Sequence, residues 1–134
     1  MEDERSVVTS DERLADRMWY KCGHARHTTC LFANSELSLV DPCSGPIEIH
    51  HVFGKGSDRI RWELAFAVGL CAHHHRGSTK CSPHGASRGF WTEWERMQPT
   101  VVDRLRNLRL FNMRGEPHKA TDAIAMMTDI LKKR

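Results

Sequence analysis

The 134 residues predict one small α+β domain, with helices at both ends of a centre made of short extended pieces. Three observations predict it. Apolar residues recur at three- and four-residue spacing before residue 22 and after residue 90. Between them, residues 47–53 form a short run with β-branched side chains, as a strand requires. All five Cys, and every His except His118, fall within residues 22–90. The apolar fraction of 40% supports one modest core, and 28% charged residues of mixed sign argue against a disordered polyelectrolyte.

Taken in order, residues 1–9 are polar, and fraying is expected there. A helix follows, capped by Ser10 or Asp11, with Leu14, Ala15 and Met18 on one face and Trp19 and Tyr20 at its end. This arm covers residues 1–27. The centre, residues 28–90, is punctuated by Gly45-Pro46, Gly54-Lys55-Gly56 and Gly77-Ser78. After the strand at 47–53, an apolar stretch at 65–70 ends at Cys71, and residues 72–76 start a helix crowded with His. Residues 91–134 are helical: Trp91, Trp94, Met97, Val101, Leu105 and Leu108 form a stripe interrupted at Pro99. A last helix runs from about 121 to 131. Ile124, Met127, Ile130 and Leu131 face inward, and Lys132-Lys133-Arg134 sit where cations suit the helix dipole.

Lys plus Arg total 20 against 17 Asp plus Glu, a net +3. That excludes a histone-like blanket of positive charge and permits a local basic face. No run of 18 apolar residues offers a membrane span. The acidic start at residues 1–5 has no apolar region behind it, so a cytoplasmic location is expected rather than secretion. Thiols stay reduced there, and the five Cys read as metal ligands or buried thiols rather than disulfides.

Two kinds of site follow from the Cys and His. Cys71 and His74 stand three apart, a spacing at which a tight turn aims both at one ion, and Cys43 and Cys30 are candidates for the other pair. Cys22, Cys81, His24 and His27 compete for those places. A second site arises from His50 and His51, which as strand neighbours point to opposite faces. One can hold a metal while the other works as a base. His75, one position beyond His74, faces away from the first site and is free to join that metal, and His84 can close it from a loop. Lys55, Arg59, Arg61, Arg76, Lys80 and Arg88 surround these positions as candidate phosphate contacts that position a strand without reading sequence.

Two segments, Cys43-Ser44-Gly45-Pro46-Ile47-Glu48-Ile49-His50-His51-Val52 and Gly69-Leu70-Cys71-Ala72-His73-His74-His75-Arg76-Gly77, resemble the HNH (His-Me finger) endonucleases, most of all small bacteriophage members. The resemblance spans roughly residues 30–84. It implies a ββα-metal core, a hairpin plus a helix around one divalent cation, stapled by zinc. It implies His51 as general base and His50, His75 and His84 as cation ligands, with Thr79 where many relatives carry their last His. It implies Cys30, Cys43, Cys71 and His74 as a structural zinc site.

The central Asn of that family has no counterpart between Ser57 and Phe66, so Glu63 or a backbone carbonyl is expected to hold the His51 ring. The expected function is metal-dependent cleavage or nicking of duplex DNA with low sequence specificity, using Mg²⁺, Mn²⁺, Ni²⁺ or Zn²⁺ in the host-cell cytoplasm. The other reading is a zinc-stabilised nucleic-acid-binding module without catalysis. Cys22, Cys81, His24, His27 and His118 read as unliganded, the Trp91/Trp94 stripe as core, and the Arg residues at 104–114 as a solvated helix face.

Overall fold

The structure, a computed structural model, describes residues 9–133. Of the expected frayed segment only Thr9 is among them, and Arg134 lies outside them. Helix α1 spans Ser10–Arg26. Its cap is Thr9, one residue earlier than expected: the Thr9 hydroxyl accepts from the Glu12 amide at 3.1 Å, and the Glu12 carboxylate reaches back to the Thr9 amide at 3.4 Å. The helix also runs six residues past Tyr20. Its buried face is Ala15, Trp19, Cys22 and Gly23, while Leu14, expected inward, is exposed. Gly23 makes this extension possible, because a Cβ there would stand 2.8 Å from Ile49 Cγ2. With no side chain at that turn, α1 lies directly on the sheet.

The sheet has two antiparallel strands, β1 (Ile47–His51) and β2 (Ala67–Cys71), paired from Ile47 opposite Cys71 to His51 opposite Ala67. β1 ends two residues before the predicted run does, as the chain turns at Val52 and Phe53. All five β2 residues are buried, which explains their continuous apolar character. After β2 the chain makes one π-type turn, His73–Gly77, where a regular helix start was expected. Helices α2 (Ser87–Met97), α3 (Pro99–Arg114) and α4 (Ala120–Lys132) complete the fold. The predicted break at Pro99 is the start of α3, where a missing N–H costs nothing.

Two apolar clusters flank the sheet. Trp19, Cys22, Ile49, Trp62, Ala67, Ala123 and Met127 pack α1 and α4 against one face. Phe32, Val68, Leu70, Cys71, Phe90, Trp94, Val102 and Leu105 join α2 and α3 to the other. Helices with a small two-stranded sheet fit the α+β expectation. Among the described residues no helix is long and apolar enough to cross a membrane.

Candidate metal centres and the histidine cleft

Four chain segments meet at the open end of the hairpin, beside the Ile47–Cys71 pair. Cys30 follows α1, Cys43 precedes β1, Cys71 ends β2, and His74 sits in the π-type turn. Gly69 lets the first of these close in: a Cβ there would lie 2.9 Å from His27 Cβ and 3.0 Å from the Thr29 carbonyl. The Leu31 amide then donates to the Gly69 carbonyl at 2.8 Å, which sets Cys30 beside the sheet.

The result is a Cys₃His group whose ligand atoms all lie within 4.8 Å of one another. His74 Nδ1 stands 3.5 Å from Cys30 Sγ, 3.5 Å from Cys43 Sγ and 3.3 Å from Cys71 Sγ. Tetrahedral zinc with ordinary Zn–S and Zn–N lengths separates N and S by about 3.6 Å. His74 Nε2–H donates to the Asp41 carbonyl at 2.8 Å, which fixes the tautomer and leaves the Nδ1 lone pair facing the three sulfurs. Burial pushes the Cys43 thiol up to about 12, with the crowding of Cys30 and Cys71 adding to it. Burial raises Cys30 as well. The group could hold a metal such as zinc. No disulfide links the five cysteines.

Cys81 lies near Asp41 and His74, but the Asp41 carboxylate already accepts from Ser78 Oγ at 2.6 Å and contacts His73 Nε2. Cys22 belongs to none of the Cys/His/carboxylate groups found among the described residues. His24 and His118 are exposed, and His27 lines a pocket beside Cys30 but belongs to neither group.

On the α2 side of the sheet, His50 from β1, His75 from the π-type turn and His84 from the loop before α2 form a second group. His75 Nε2 and His84 Nε2 are 2.9 Å apart, and the His50 ring centre lies 5.2 and 5.1 Å from those of His75 and His84. Adjacent ligands of an octahedral ion with bonds of about 2.1 Å are about 3.0 Å apart. Burial, reinforced by the two neighbouring rings, pushes His50 down to about 3, so it is a neutral imidazole.

Glu48 was not singled out from the sequence, yet it orients this group. Its carboxylate accepts from His75 Nδ1–H at 2.7 Å and also pairs with Arg76. The bonds from His75 and Arg76 hold Glu48 below the usual carboxylate range. His75 Nε2 thereby presents its lone pair toward His84. The available signal was strand parity: Glu48 and His50 are two residues apart and share a face.

His51 occupies the opposite face of β1, 6% exposed and stacked on Trp19 with centroids 4.9 Å apart. Its Nε2 lies 3.1 Å from both the Ile60 and Arg61 carbonyls. That N–H donates to them, so Nδ1 carries the lone pair, and Nδ1 is buried without a hydrogen-bond partner among the described residues. Of the two expected holders, the backbone is the one found. The Glu63 side chain instead accepts from Asn112 at 3.3 Å, while its carbonyl accepts from Trp19 Nε1 at 3.0 Å.

The loop carrying the two carbonyls is fastened to α1. Arg61 donates to Asp16 at 3.1 and 2.8 Å and to Glu12 at 2.9 Å, and Trp62 Nε1 donates to Asp16 at 2.9 Å.

Both sets of histidines open on one cleft of about 450 Å³, lined by His50, His51, His75 and His84 together with Tyr20, Lys55 and Trp91. Among the basic residues expected to touch phosphates, Lys55 lines this cleft, with its ammonium 5.6 Å over the Tyr20 ring. Arg59 donates to the Gly115 carbonyl at 2.9 Å, and Arg76 is paired with Glu48. The Arg61 side chain is 14% exposed and turned to α1, away from the cleft. Lys80 and Arg88 are exposed outside the cleft lining.

No family model matches the chain, and no curated protein or solved structure does either.

Proposed function

We propose that the chain is a metal-dependent endonuclease of the HNH type, hydrolysing DNA phosphodiester bonds with one cation on His50, His75 and His84 and with His51 as general base. The observation that carries this reading is the shared cleft: three imidazoles converge there beside a fourth whose Nε2 is tied to backbone carbonyls.

In this reading a water molecule attacks phosphorus in line, forming one P–O bond as the P–O3′ bond breaks. Its proton passes to His51 Nδ1. The Ile60 and Arg61 carbonyls, which accept from Nε2–H, stabilise the imidazolium formed, and the Trp19 ring holds its plane. A divalent cation held by the three histidines supplies charge neutralisation at the scissile phosphate and the leaving oxygen. Lys55 holds a neighbouring phosphate at the rim. Zinc on Cys30, Cys43, Cys71 and His74 fixes the turn from which His75 projects. The hairpin and the turn after it then act as a ββα-metal core reduced to a single wide turn. The resemblance to small bacteriophage members assigns the work to the host cytoplasm.

One observation favours a second reading, a zinc-stabilised nucleic-acid-binding module without catalysis: His51 Nδ1 is shielded from solvent, whereas a base must reach water. Supercoiled plasmid incubated with Mg²⁺, Mn²⁺, Ni²⁺ or Zn²⁺ in turn, with the unmodified chain and with His51→Ala, separates the two. Nicking that disappears in His51→Ala supports the nuclease. DNA binding with no strand breaks in either protein supports the module.

A further inference from the structure

A second groove, about 560 Å³, adjoins the histidine cleft and shares Val52 and Trp91 with it. Phe53 and Trp91 form its floor, stacked at 22° with centroids 5.5 Å apart. Two arginines one helical turn apart on α3 flank it. The Arg106 guanidinium lies 5.5 Å over the Trp91 ring, and that of Arg109 lies 5.0 Å over the Phe53 ring.

A guanidinium seated on a ring face is held by that face and keeps its N–H donors in its own plane, free for acceptors at its edge. Both charges are nearly unneutralised. Arg109 pairs with no carboxylate among the described residues, and Arg106 reaches only Glu95, at 3.5 Å in an exposed pair of little energetic weight. Arg59, Arg61 and Arg76 differ in being bound to the protein itself.

We propose that Arg106 and Arg109 form a preset clamp for backbone phosphates of duplex DNA running on from the histidine cleft. The nuclease reading supplies what the clamp serves. Base stacking is the poorer use of this groove, because Trp91 is already stacked on Phe53 and on Trp94 at 22° and lies under Arg106. The clamp carries no sequence information, since phosphate contacts fix register without reading bases.

The test measures binding of an end-labelled duplex of about 20 base pairs as a function of salt, in a His51→Ala background so that cleavage does not intrude. Removing one cation that neutralises a phosphate lowers the slope of log affinity against log salt by about 0.9. Arg106→Gln and Arg109→Gln are each expected to lower it by about that amount, and the pair by about twice as much, with affinity falling about tenfold or more. Replacing both by Lys keeps most of the slope. The control pair Arg104→Gln and Arg114→Gln, on the same helix outside the groove, moves it less.

An unchanged slope in folded Gln variants, or an equal drop in the control pair, overturns the clamp. A slope that responds while the unmodified chain cuts no DNA keeps the clamp and overturns the nuclease reading. Cleavage with an unmoved slope does the reverse.

Discussion

His74 and His75 are consecutive in the chain but face two different clusters. His74 Nδ1 lies 3.3 Å from Cys71 Sγ, and His75 Nε2 lies 2.9 Å from His84 Nε2. The wide turn His73–Gly77 splays them, and its closing bond runs from the Ser78 amide to the His73 carbonyl at 2.7 Å. One backbone turn therefore belongs to both sites, so disturbing the Cys₃His group displaces a histidine of the cleft.

That coupling yields a first prediction. The chain is expected to retain one zinc per molecule after dialysis, and Cys71→Ser is expected to lose it. Removing a ligand from a structural site of this kind weakens folding by several kcal/mol. The thermal midpoint should drop, and the affinity of the histidine group for Mn²⁺ should fall with it. Atomic absorption, thermal denaturation and calorimetric titration check the three effects.

Glu48→Gln should act on the cleft alone. The amide keeps the shape but no longer offers His75 Nδ1–H a charged acceptor. Divalent-ion affinity at the histidine group is expected to fall by about 10–100-fold with zinc retention unchanged. Titration of Mn²⁺ into zinc-loaded protein measures it.

A third prediction concerns acid stability. Burial alone would raise the Asp16 carboxyl, but the bonds from Arg61 and Trp62 outweigh it and hold the group below its ordinary value. A depressed folded-state value means the contribution is fully present above the unfolded value of about 4 and is lost as pH falls through the folded one. Asp16→Asn should cost about 2 kcal/mol at neutral pH, the worth of a charged hydrogen-bonded pair, and the cost should shrink below pH 4. Urea unfolding at several pH values checks the sign.

Gly69→Ala tests the packing that brings Cys30 to the sheet. The added methyl would meet His27 Cβ at 2.9 Å and the Thr29 carbonyl at 3.0 Å, groups that move only with the backbone. A destabilisation of about 1–3 kcal/mol is expected, with weaker zinc retention because Cys30 is displaced. Chemical denaturation and metal analysis read both.

Part of this was legible in the residues, and the remainder fails for identifiable reasons. Spacing paired Cys71 with His74 and left Cys30 and Cys43 as candidates among competitors; the family resemblance completed that set and named His50, His75 and His84 as a second one. The apolar stripe through Met127 gave α4 nearly to its ends. The length of α1 was not legible: Trp19 and Tyr20 read as its end, and only packing against Ile49 shows why the helix continues through Gly23. The holder of His51 was hidden because backbone carbonyls leave no mark in a sequence. Arg61 looked like a phosphate contact because its partners, Asp16 and Glu12, lie some forty-five residues earlier.

The most direct measurement is Mn²⁺-dependent nicking of supercoiled plasmid by the unmodified chain and by His51→Ala, with Mn²⁺ binding followed in the same samples. The account predicts that both proteins bind Mn²⁺ alike and that only the unmodified chain nicks. Equal nicking by both, or none by the unmodified chain with Mn²⁺ bound, would contradict it.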